Sequence, residues 1–261
     1  MEAAYEAKYH LIEDRHWWFR GRRDYFLRLV ETLGLPRDAA ILDVGCASGA
    51  LVEALTRKGY ARVAGIDVSE QAVEQSRLRG LTTVRRLDAA SPALSGESVD
   101  LLIASDVLEH TDDDREVLRQ WRRLLKPGGT LAVFVPAFRF LWSAHDDVNM
   151  HRRRYTRRRL VSRLGDAGFE VAFSSYWNFA LFGPAAAYRL VSRLLPKRDG
   201  ATSGELRVVP LVNELLFALV RCENFALIRK LPLPVGLSVM ALARRHAQSV
   251  VADGACGNSP G

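Results

Sequence analysis

The sequence predicts an α/β fold with a parallel sheet, and three observations support this. From residue 39 to about 135, short β-branched runs alternate with amphipathic helical patterns, which indicates βαβ units with right-handed crossovers. The stretch "ILDVGCASGA" at 41–50 runs from an apolar strand into a turn with two glycines. The chain has 261 residues, 48% of them apolar, which is enough for one sizeable core with an elaboration.

The helices begin and end at residues suited to those positions. Ser69 is a suitable N-cap, and Gly80 follows the end of the same helix, where glycine is favoured. Thr111 and Asp114 have capping-box spacing at the next helix, and Pro127 is expected to end it. Strands are thus expected at 39–44, 61–68, 82–88, 99–105, 130–136, 170–177 and 236–245, and helices at 49–59, 69–80, 111–129 and 156–168.

Three segments lie outside this alternation. Residues 1–36 precede the first strand and are predicted to form a helical lid on the main domain at 37–245. Residues 178–233 separate the last two strands with helical, apolar-rich sequence. An insertion of this length exceeds a loop and predicts a helical cap or a partner surface. Residues 246–261 have little capacity to form a core, so we expect a disordered tail there.

The charge and the cysteines limit the partners and the compartment. The formal net charge of +7 suggests an anionic partner such as a phosphate or an acidic lipid head group. Three cysteines without CxxC spacing predict neither a disulfide framework nor a metal site. The sequence has no signal-peptide core and no apolar run that would span a membrane. We expect a cytoplasmic protein, with peripheral contact at the inner face of the membrane left open.

The glycine turn raises the question of which nucleotide it holds. A P-loop requires a lysine after its last glycine, and this turn has none, which argues against ATP or GTP hydrolysis. A dinucleotide fold requires the pattern G-x-G-x-x-G, and its second and third glycines are absent here. Nicotinamide binding therefore ranks second. The remaining candidate is S-adenosylmethionine (SAM), which carries an amino-acid end, a ribose and an adenine but no phosphate.

Acidic residues at three successive strand ends match the polar parts of SAM. Asp43 precedes the turn and suits the ammonium group of the ligand, or orders the turn itself. Asp67 ends the second strand, where the dinucleotide fold places an acidic acceptor for ribose hydroxyls, and Asp88 is placed to accept from the adenine amino group. Gly45 and Gly49 allow the backbone to approach a ligand closely. Each aspartate alone is as consistent with a helix N-cap, but three in succession favour a ligand.

Five stretches together resemble the motifs of the class I SAM-dependent methyltransferases. They lie within 39–136 and read "ILDVGCASG", "VAGIDVSEQAVEQSR", "RRLDAA", "VDLLIASDVLEHTDD" and "LLKPGGTLAVFVP". The resemblance implies a Rossmann-like, seven-stranded sheet whose last strand, at 236–245, is antiparallel. The family most often has glycine where this chain has Ala47, and SAM binding should survive if the local φ is negative. The implied cofactor site comprises Asp43, Gly45, Cys46, Ala47, Gly49, Asp67, Val68, Asp88, Ala89 and Ser105.

Candidate catalytic residues follow the fourth and fifth strands. Methyl transfer needs alignment of the reactants, and it needs a general base only when the acceptor holds a proton. His110 follows the fourth strand, and His145 and His151 follow the fifth, at the edge where open α/β sheets bind ligands. His145 ranks first as a base, with the aspartates after it as orienting partners. Tyr155 is a candidate donor to an acceptor oxygen, with a packed aromatic residue as the equal alternative.

The stretch "HWWFRGRR" at 16–23 combines large rings with guanidinium groups. Trp17, Trp18 and Phe19 are predicted to close over the adenine or the acceptor, or to anchor a helix on the core. Arg22 or Arg23 is predicted to pair with a carboxylate, and Trp18 and Arg23 complete the expected cofactor site. With residues 140–160, this stretch resembles a subgroup of bacterial methyltransferases of cell-envelope, lipid-linked saccharide or secondary-metabolite pathways.

The basic run "HRRRYTRRR" holds six arginines in nine residues. It suits a diphosphate or acidic acceptor, an anionic membrane surface or a solvated helix face. No RNA-binding module accompanies it, so nucleic acid is not an expected partner.

The leading hypothesis is methyl transfer from SAM to a small acceptor, such as a secondary metabolite or a lipid-linked or phosphorylated saccharide, by a monomer or homodimer. A SAM-binding enzyme of cyclisation or rearrangement and a non-catalytic scaffold remain alternatives. A nicotinamide-dependent oxidoreductase is less favoured, because the turn lacks the dinucleotide spacing.

Overall fold

A computed structural model describes Tyr9, residues 11–192 and residues 209–246, and a seven-stranded sheet runs through them. The strand order is β3-β2-β1-β4-β5-β7-β6. Only β7 runs antiparallel to its neighbours, β5 and β6, so the predicted sheet is confirmed. The expected tail at 247–261 and residues 193–208 of the insertion lie outside the described residues. The strands are β1 Ala40–Val44, β2 Arg62–Asp67, β3 Val84–Arg86, β4 Val99–Ser105, β5 Leu125–Pro136, β6 Phe169–Trp177 and β7 Ser238–Arg245.

Helices cover both faces of the sheet. Because side chains alternate along a strand, Leu102 of β4 faces one apolar layer, whereas Leu101 and Ile103 face the other. The first layer includes Trp121 of α4 and residues of α6, and the second includes Phe26 of α1 and residues of α2 and α8. The helices are α1 Trp17–Thr32, α2 Ala50–Arg57, α3 Glu70–Leu78, α4 Asp114–Leu124, α5 Ala144–Val148, α6 Arg157–Asp166, α7 Phe182–Ser192 and α8 Pro210–Ile228.

The predicted cap of α3 is confirmed, whereas that of α4 is wrong. The Ser69 hydroxyl accepts from the backbone N–H of Ala72 at 3.1 Å. In α4 the cap is Asp113, whose carboxylate accepts two N–H groups of the first turn. The Thr111 hydroxyl instead donates to the carbonyl of Leu108, which closes a short 3₁₀ turn.

The end of α4 also differs from the sequence prediction. The helix ends at Leu124 instead of continuing to the glycines at 128 and 129. Leu125 already pairs with Val99 of β4, and an irregularity in the pairing follows it. Strand pairing therefore takes over the backbone groups that a longer helix would have used, before the proline is reached.

The described part of the insertion packs on the protein through α8. Asn213 accepts from the backbone N–H of Trp17 at 2.8 Å, and Asn224 donates to the carbonyl of Gly21 at 2.9 Å. A Cβ on Gly21 would lie 2.6 Å from Val220 Cγ1, so α1 and α8 approach closely. Among the described residues, no helix is long and apolar enough to cross a membrane.

Candidate functional site

The loop between β1 and α2 holds three residues with left-handed backbone. These are Gly45, Ala47 and Gly49, with φ of 70°, 47° and 80°. A Cβ on Gly45 would lie 2.4 Å from Val107 Cγ2, and one on Gly49 would lie 2.6 Å from Leu81 Cδ1. Both glycines are therefore required by backbone conformation and by contacts within the protein. The two Cβ positions face protein side chains, whereas the sequence predicted that these glycines allow close approach of a ligand.

Ala47 does not meet the condition set from the sequence, which was a negative φ. An alanine in the left-handed region costs about 1 kcal/mol relative to glycine. Its backbone N–H donates to Asp67 Oδ2 at 2.9 Å. This hydrogen bond holds the strained residue in place across the turn.

The three acidic residues have three different surroundings. Asp67 accepts from Ala47 N and also from Ser69 N at 2.9 Å, so it ties the glycine loop to the start of α3. Asp43 is buried, and its burial, together with the negative charges of Glu13 and Asp67, raises the pKa of its carboxyl group. Asp88 is exposed and accepts from the backbone two residues on. Asp67 and Asp88 thus order the chain locally, whatever they do for a ligand.

A cavity of about 90 Å³ lies beside the glycine loop. Part of the predicted cofactor set lines it: Trp18, Arg23, Asp43, Gly45, Cys46, Ala47 and Ser105. The other predicted residues lie outside its described lining, and their assignment to ribose and adenine stays a prediction: Gly49, Asp67, Val68, Asp88 and Ala89. The amino-acid end of SAM matches this lining, because both carboxylate and guanidinium groups are present.

The segment before α1 closes this cavity. Its main contact with the glycine loop was not predicted from the sequence. Ser48 of the glycine loop donates to the buried carboxylate of Glu13 and accepts from Arg79 Nε at 3.0 Å. Arg79 also donates to Asp14 at 2.8 Å. The only sequence signal was an acidic pair just before the tryptophans. The predicted lid is thus anchored on the turn that it covers.

Arg22 is buried at the centre of an aromatic cluster. Its guanidinium carbon lies 3.9 Å from the Phe134 ring centroid and 4.1 Å from that of Trp177. It donates to Ser238 Oγ at 2.8 Å and to both oxygens of Asp106 at 3.3 Å. Burial lowers the pKa of Arg22 despite the nearby carboxylates. Arg22, one of the two arginines predicted to pair with a carboxylate, therefore joins α1 to the edge of the sheet.

The tryptophans both anchor α1 on the core and line the cavities, in agreement with the two roles predicted for them. Trp18 packs edge-on against Trp177 with centroids 4.8 Å apart, and Trp17 packs edge-on against Trp18 at 5.6 Å. Trp18 and Phe19 also line the cavity beside the glycine loop. Arg23 pairs with Asp14 at 3.6 Å.

A second cavity, of about 510 Å³, adjoins the first at Tyr9, Trp18, Phe19 and Asp106. We call it the acceptor cavity. The three predicted histidines, His110, His145 and His151, meet in its wall, although they are distant in the sequence. Its other polar lining residues are His16, Asn149, Arg154, Arg189 and Ser238, and its apolar ones include Trp17, Leu181, Pro184, Ala185, Tyr188 and Leu237.

One of these histidines, His151, is oriented by a buried aspartate. His151 Nδ1 lies 2.8 Å from Asp146 Oδ1, and Arg154 Nε donates to the same oxygen at 2.7 Å. Burial opposes ionisation of Asp146, but these partners hold the pKa of its carboxyl group well below the usual value. The rings of His110 and His151 are 4.8 Å apart. Burial, with a contribution from His151, lowers the pKa of His110 to about 4.

Glu109 lies behind these rings and was missed as a functional residue. It is fully buried, and neither carboxylate oxygen has a hydrogen-bond partner among the described residues. Its Oε1 lies 3.9 Å from His151 Nε2. Burial, followed by the charge of Asp106, raises the pKa of this carboxyl group well above its usual value.

The predicted catalytic role of Tyr155 is wrong. Its side chain is fully buried, and its hydroxyl donates to Asp114 Oδ2 at 3.0 Å. It does not line the acceptor cavity. The alternative from the sequence, a packed aromatic residue before α6, is what the structure shows.

The arginine run is partly structural and does not form one free basic patch. Arg152 pairs with Asp112 at 2.8 Å, and Arg153 donates to the carbonyls of Thr111 and Asp112. Arg154 is buried against Asp146. The three arginines at 157–159 are exposed in the first turn of α6, as a solvated helix face would be.

Comparison with known proteins supports a methyltransferase domain. Residues 42–133 match the family model described as "Methyltransferase domain". A ubiquinone biosynthesis O-methyltransferase of Yersinia enterocolitica is 30% identical over 140 residues, which are 47% of this chain and 56% of that protein. A relative of the same name from Xanthomonas oryzae is 36% identical over 116 residues, 42% of this chain and 46% of its own length. The chain thus spans about half the length of the curated relatives that it matches.

Solved structures share the fold over most of the chain. A chain in the complex of the Haloferax volcanii Trm112 methyltransferase activator with a methyltransferase has a TM-score of 0.62 at 18% identity, covering 94% of this chain and 96% of that one. The [4+2]-cyclase SpnF has a TM-score of 0.55 at 24% identity, with 85% and 81% covered. These likenesses establish the architecture.

Proposed function

We propose that this chain, which contains a class I SAM-dependent methyltransferase domain, transfers the methyl group of SAM to a hydroxyl oxygen of a small acceptor. The observation that carries the proposal is the adjoining pair of cavities. One lies on the glycine loop, the other is lined by four histidines, and they share Trp18, Phe19 and Asp106. A sulfonium bound in the first would direct its methyl group toward an acceptor in the second.

The reaction is an in-line displacement at the methyl carbon. The acceptor oxygen forms a bond to this carbon while the carbon–sulfur bond breaks, and the sulfonium becomes a neutral thioether. The protein contributes alignment and exclusion of water. Trp18, which lines both cavities, and Trp17, which packs edge-on against it, shield the junction of the two cavities.

The proton of a hydroxyl acceptor must leave during transfer, and we assign it to His145. The imidazole of His145 lies in the wall of the acceptor cavity. Its ring is 6.1 Å from that of His151, which is already held by Asp146. We expect His145→Ala to lower kcat by about 10²-fold or more while leaving the affinity for SAM unchanged.

The lining favours an acceptor with an apolar body and an oxygen-bearing end. Leu181, Pro184 and Tyr188 of the α7 region supply apolar surface, whereas Arg154 and Arg189 supply positive charge. The relatives named for ubiquinone biosynthesis act as O-methyltransferases, which supports a hydroxyl acceptor. Lipid-linked or phosphorylated saccharides and secondary metabolites with a hydroxyl group remain within this class.

The test is calorimetric titration of the purified chain with SAM and S-adenosylhomocysteine, with NADH as the control. We expect one-to-one binding of both SAM compounds at micromolar concentrations and none of NADH. Release of S-adenosylhomocysteine is then measured with hydroxylated prenyl-aromatic compounds and lipid-linked saccharides. Absence of SAM binding would refute the proposal. SAM binding with acceptor conversion but no S-adenosylhomocysteine would instead establish a cyclisation or rearrangement.

A further inference from the structure

Three side chains in the wall of the acceptor cavity form a group with metal-ligand character. One donor atom each from Glu109, His110 and His151 lies within 4.8 Å of the others. Ligands bound about 2.0–2.1 Å from a single ion are roughly 3–4 Å apart, so a small contraction would bring the three onto one centre. His151 Nε2 and Glu109 Oε1 are already 3.9 Å apart.

The buried carboxylate of Glu109 independently indicates a cation site. Its exposed fraction is 0%, and both oxygens lack a hydrogen-bond partner among the described residues. Buried polar groups are nearly always satisfied, and an unpaired buried carboxylate is costly. A cation bound between this carboxylate and the two imidazoles would remove that cost.

Both histidines are oriented as metal ligands usually are. A ligating imidazole donates its other ring N–H to a carboxylate or a backbone carbonyl, which fixes the free nitrogen toward the ion. His151 is held in this way through Nδ1 by Asp146 at 2.8 Å, which leaves Nε2 toward Glu109. The His110 ring is hydrogen-bonded to the backbone of Asn149. No local sequence pattern predicts this group, because its members lie on two segments more than forty residues apart.

We propose that Glu109, His110 and His151 bind a divalent first-row transition-metal ion, such as Zn²⁺ or Mn²⁺, in the wall of the acceptor cavity. Two imidazoles and one carboxylate favour such an ion over Mg²⁺ or Ca²⁺, which prefer oxygen ligands. His110 and His151 both line the cavity, so the ion would have open positions toward an acceptor.

The role of the ion rests on the proposed function. A Lewis acid that coordinates the acceptor hydroxyl stabilises its alkoxide or phenolate form. Coordination would also fix the oxygen for attack on the methyl carbon. His145 lies outside the three-residue group, so its proposed role as the proton acceptor does not require it to bind the ion.

The experiment is titration of the full chain, stripped with chelator and then desalted, with Zn²⁺ and Mn²⁺ separately. We expect one ion per chain, and a weakening of at least about tenfold in His110→Ala, His151→Ala and Glu109→Gln. His145→Ala, from the same cavity, is the matched control and should bind the metal as the unchanged chain does. With Co²⁺ as the probe, the visible absorption bands should change in the three ligand variants and stay unchanged in His145→Ala.

Circular dichroism and SAM titration of every variant separate the outcomes. Failure of the chain to bind either ion, or binding that is unchanged in the three ligand variants, overturns the metal site. If SAM still binds in that case, the proposed methyl transfer stands. A ligand variant that fails to fold is replaced by His110→Gln or His151→Gln, with the same expected loss of metal affinity.

Discussion

The glycine-loop cavity and the acceptor cavity are held together by different kinds of contact. Beside the first, the glycine loop is held by Asp67, which lies outside the cavity lining and accepts from the backbone N–H groups of Ala47 and Ser69. In the second, buried charges hold one another, as Asp146 and Arg154 do. Backbone hydrogen bonds each contribute modestly to stability, whereas a buried ion pair depends on both partners. The acceptor side should therefore be the more sensitive to a single substitution.

The largest expected effect is that of Asp146→Ala. Removing this carboxylate leaves Arg154, which is 6% exposed, as an unpaired buried charge. We expect the free energy of unfolding to fall by about 3–5 kcal/mol in urea denaturation. Asp147→Ala is the control, because Asp147 is exposed and should change stability by less than about 1 kcal/mol. Equal losses in the two variants would show that the buried pair does not stabilise this region.

The second expected effect tests the contact that brings the lid helix to the insertion. Gly21→Ala would place a Cβ 2.6 Å from Val220 Cγ1 and 3.3 Å from Trp177 Cζ2. We expect a loss of about 1–3 kcal/mol in the free energy of unfolding. Gly165→Ala in α6 has nothing within 4 Å of its new Cβ and should gain up to about 1 kcal/mol through helix propensity. A gain in both variants would mean that α1 and α8 do not pack closely in solution.

A smaller effect is expected on the glycine-loop side. Asp67→Ala removes the acceptor of two backbone N–H groups and the predicted partner of the ribose. We expect SAM affinity to fall at least about tenfold, or 1.4 kcal/mol, in calorimetric titration. Glu74→Ala is the control, because Glu74 is exposed on α3, pairs with Arg77 and should leave SAM affinity unchanged. Unchanged SAM affinity in folded Asp67→Ala protein would remove Asp67 from the site.

The same difference explains which parts of the site were predictable. The seven strands, the Ser69 cap and the place of Asp67 follow from patterns within about 25 residues. Local periodicity and cap chemistry determine such features. The predicted order of helices and strands is unchanged even at α4, where strand pairing moved the helix end to Leu124.

The acceptor side depends on contacts that no local pattern encodes. Glu109 and His151 meet only because the irregular segment after β5 returns past the end of β4, where Arg152 N donates to the carbonyl of Glu109 at 2.9 Å. Tyr155 was misassigned for the same reason, since the sequence did not show that its hydroxyl reaches Asp114. The three histidines were identified by their position after strand ends, but the sequence did not show that Asp146 is hydrogen-bonded to His151.

The smallest expected effect is also the most local one. Ala47→Gly removes a Cβ from a residue with φ of 47°, and we expect a gain of up to about 1 kcal/mol in stability. Ala54→Gly, in the middle of α2, should instead lose up to about 1 kcal/mol. Because the Ala47 N–H already binds Asp67, SAM affinity should rise only a few-fold in calorimetric titration. If both glycine variants lose stability equally, the left-handed conformation of Ala47 does not persist in solution, and the glycine loop is less strained than its dihedral angles indicate.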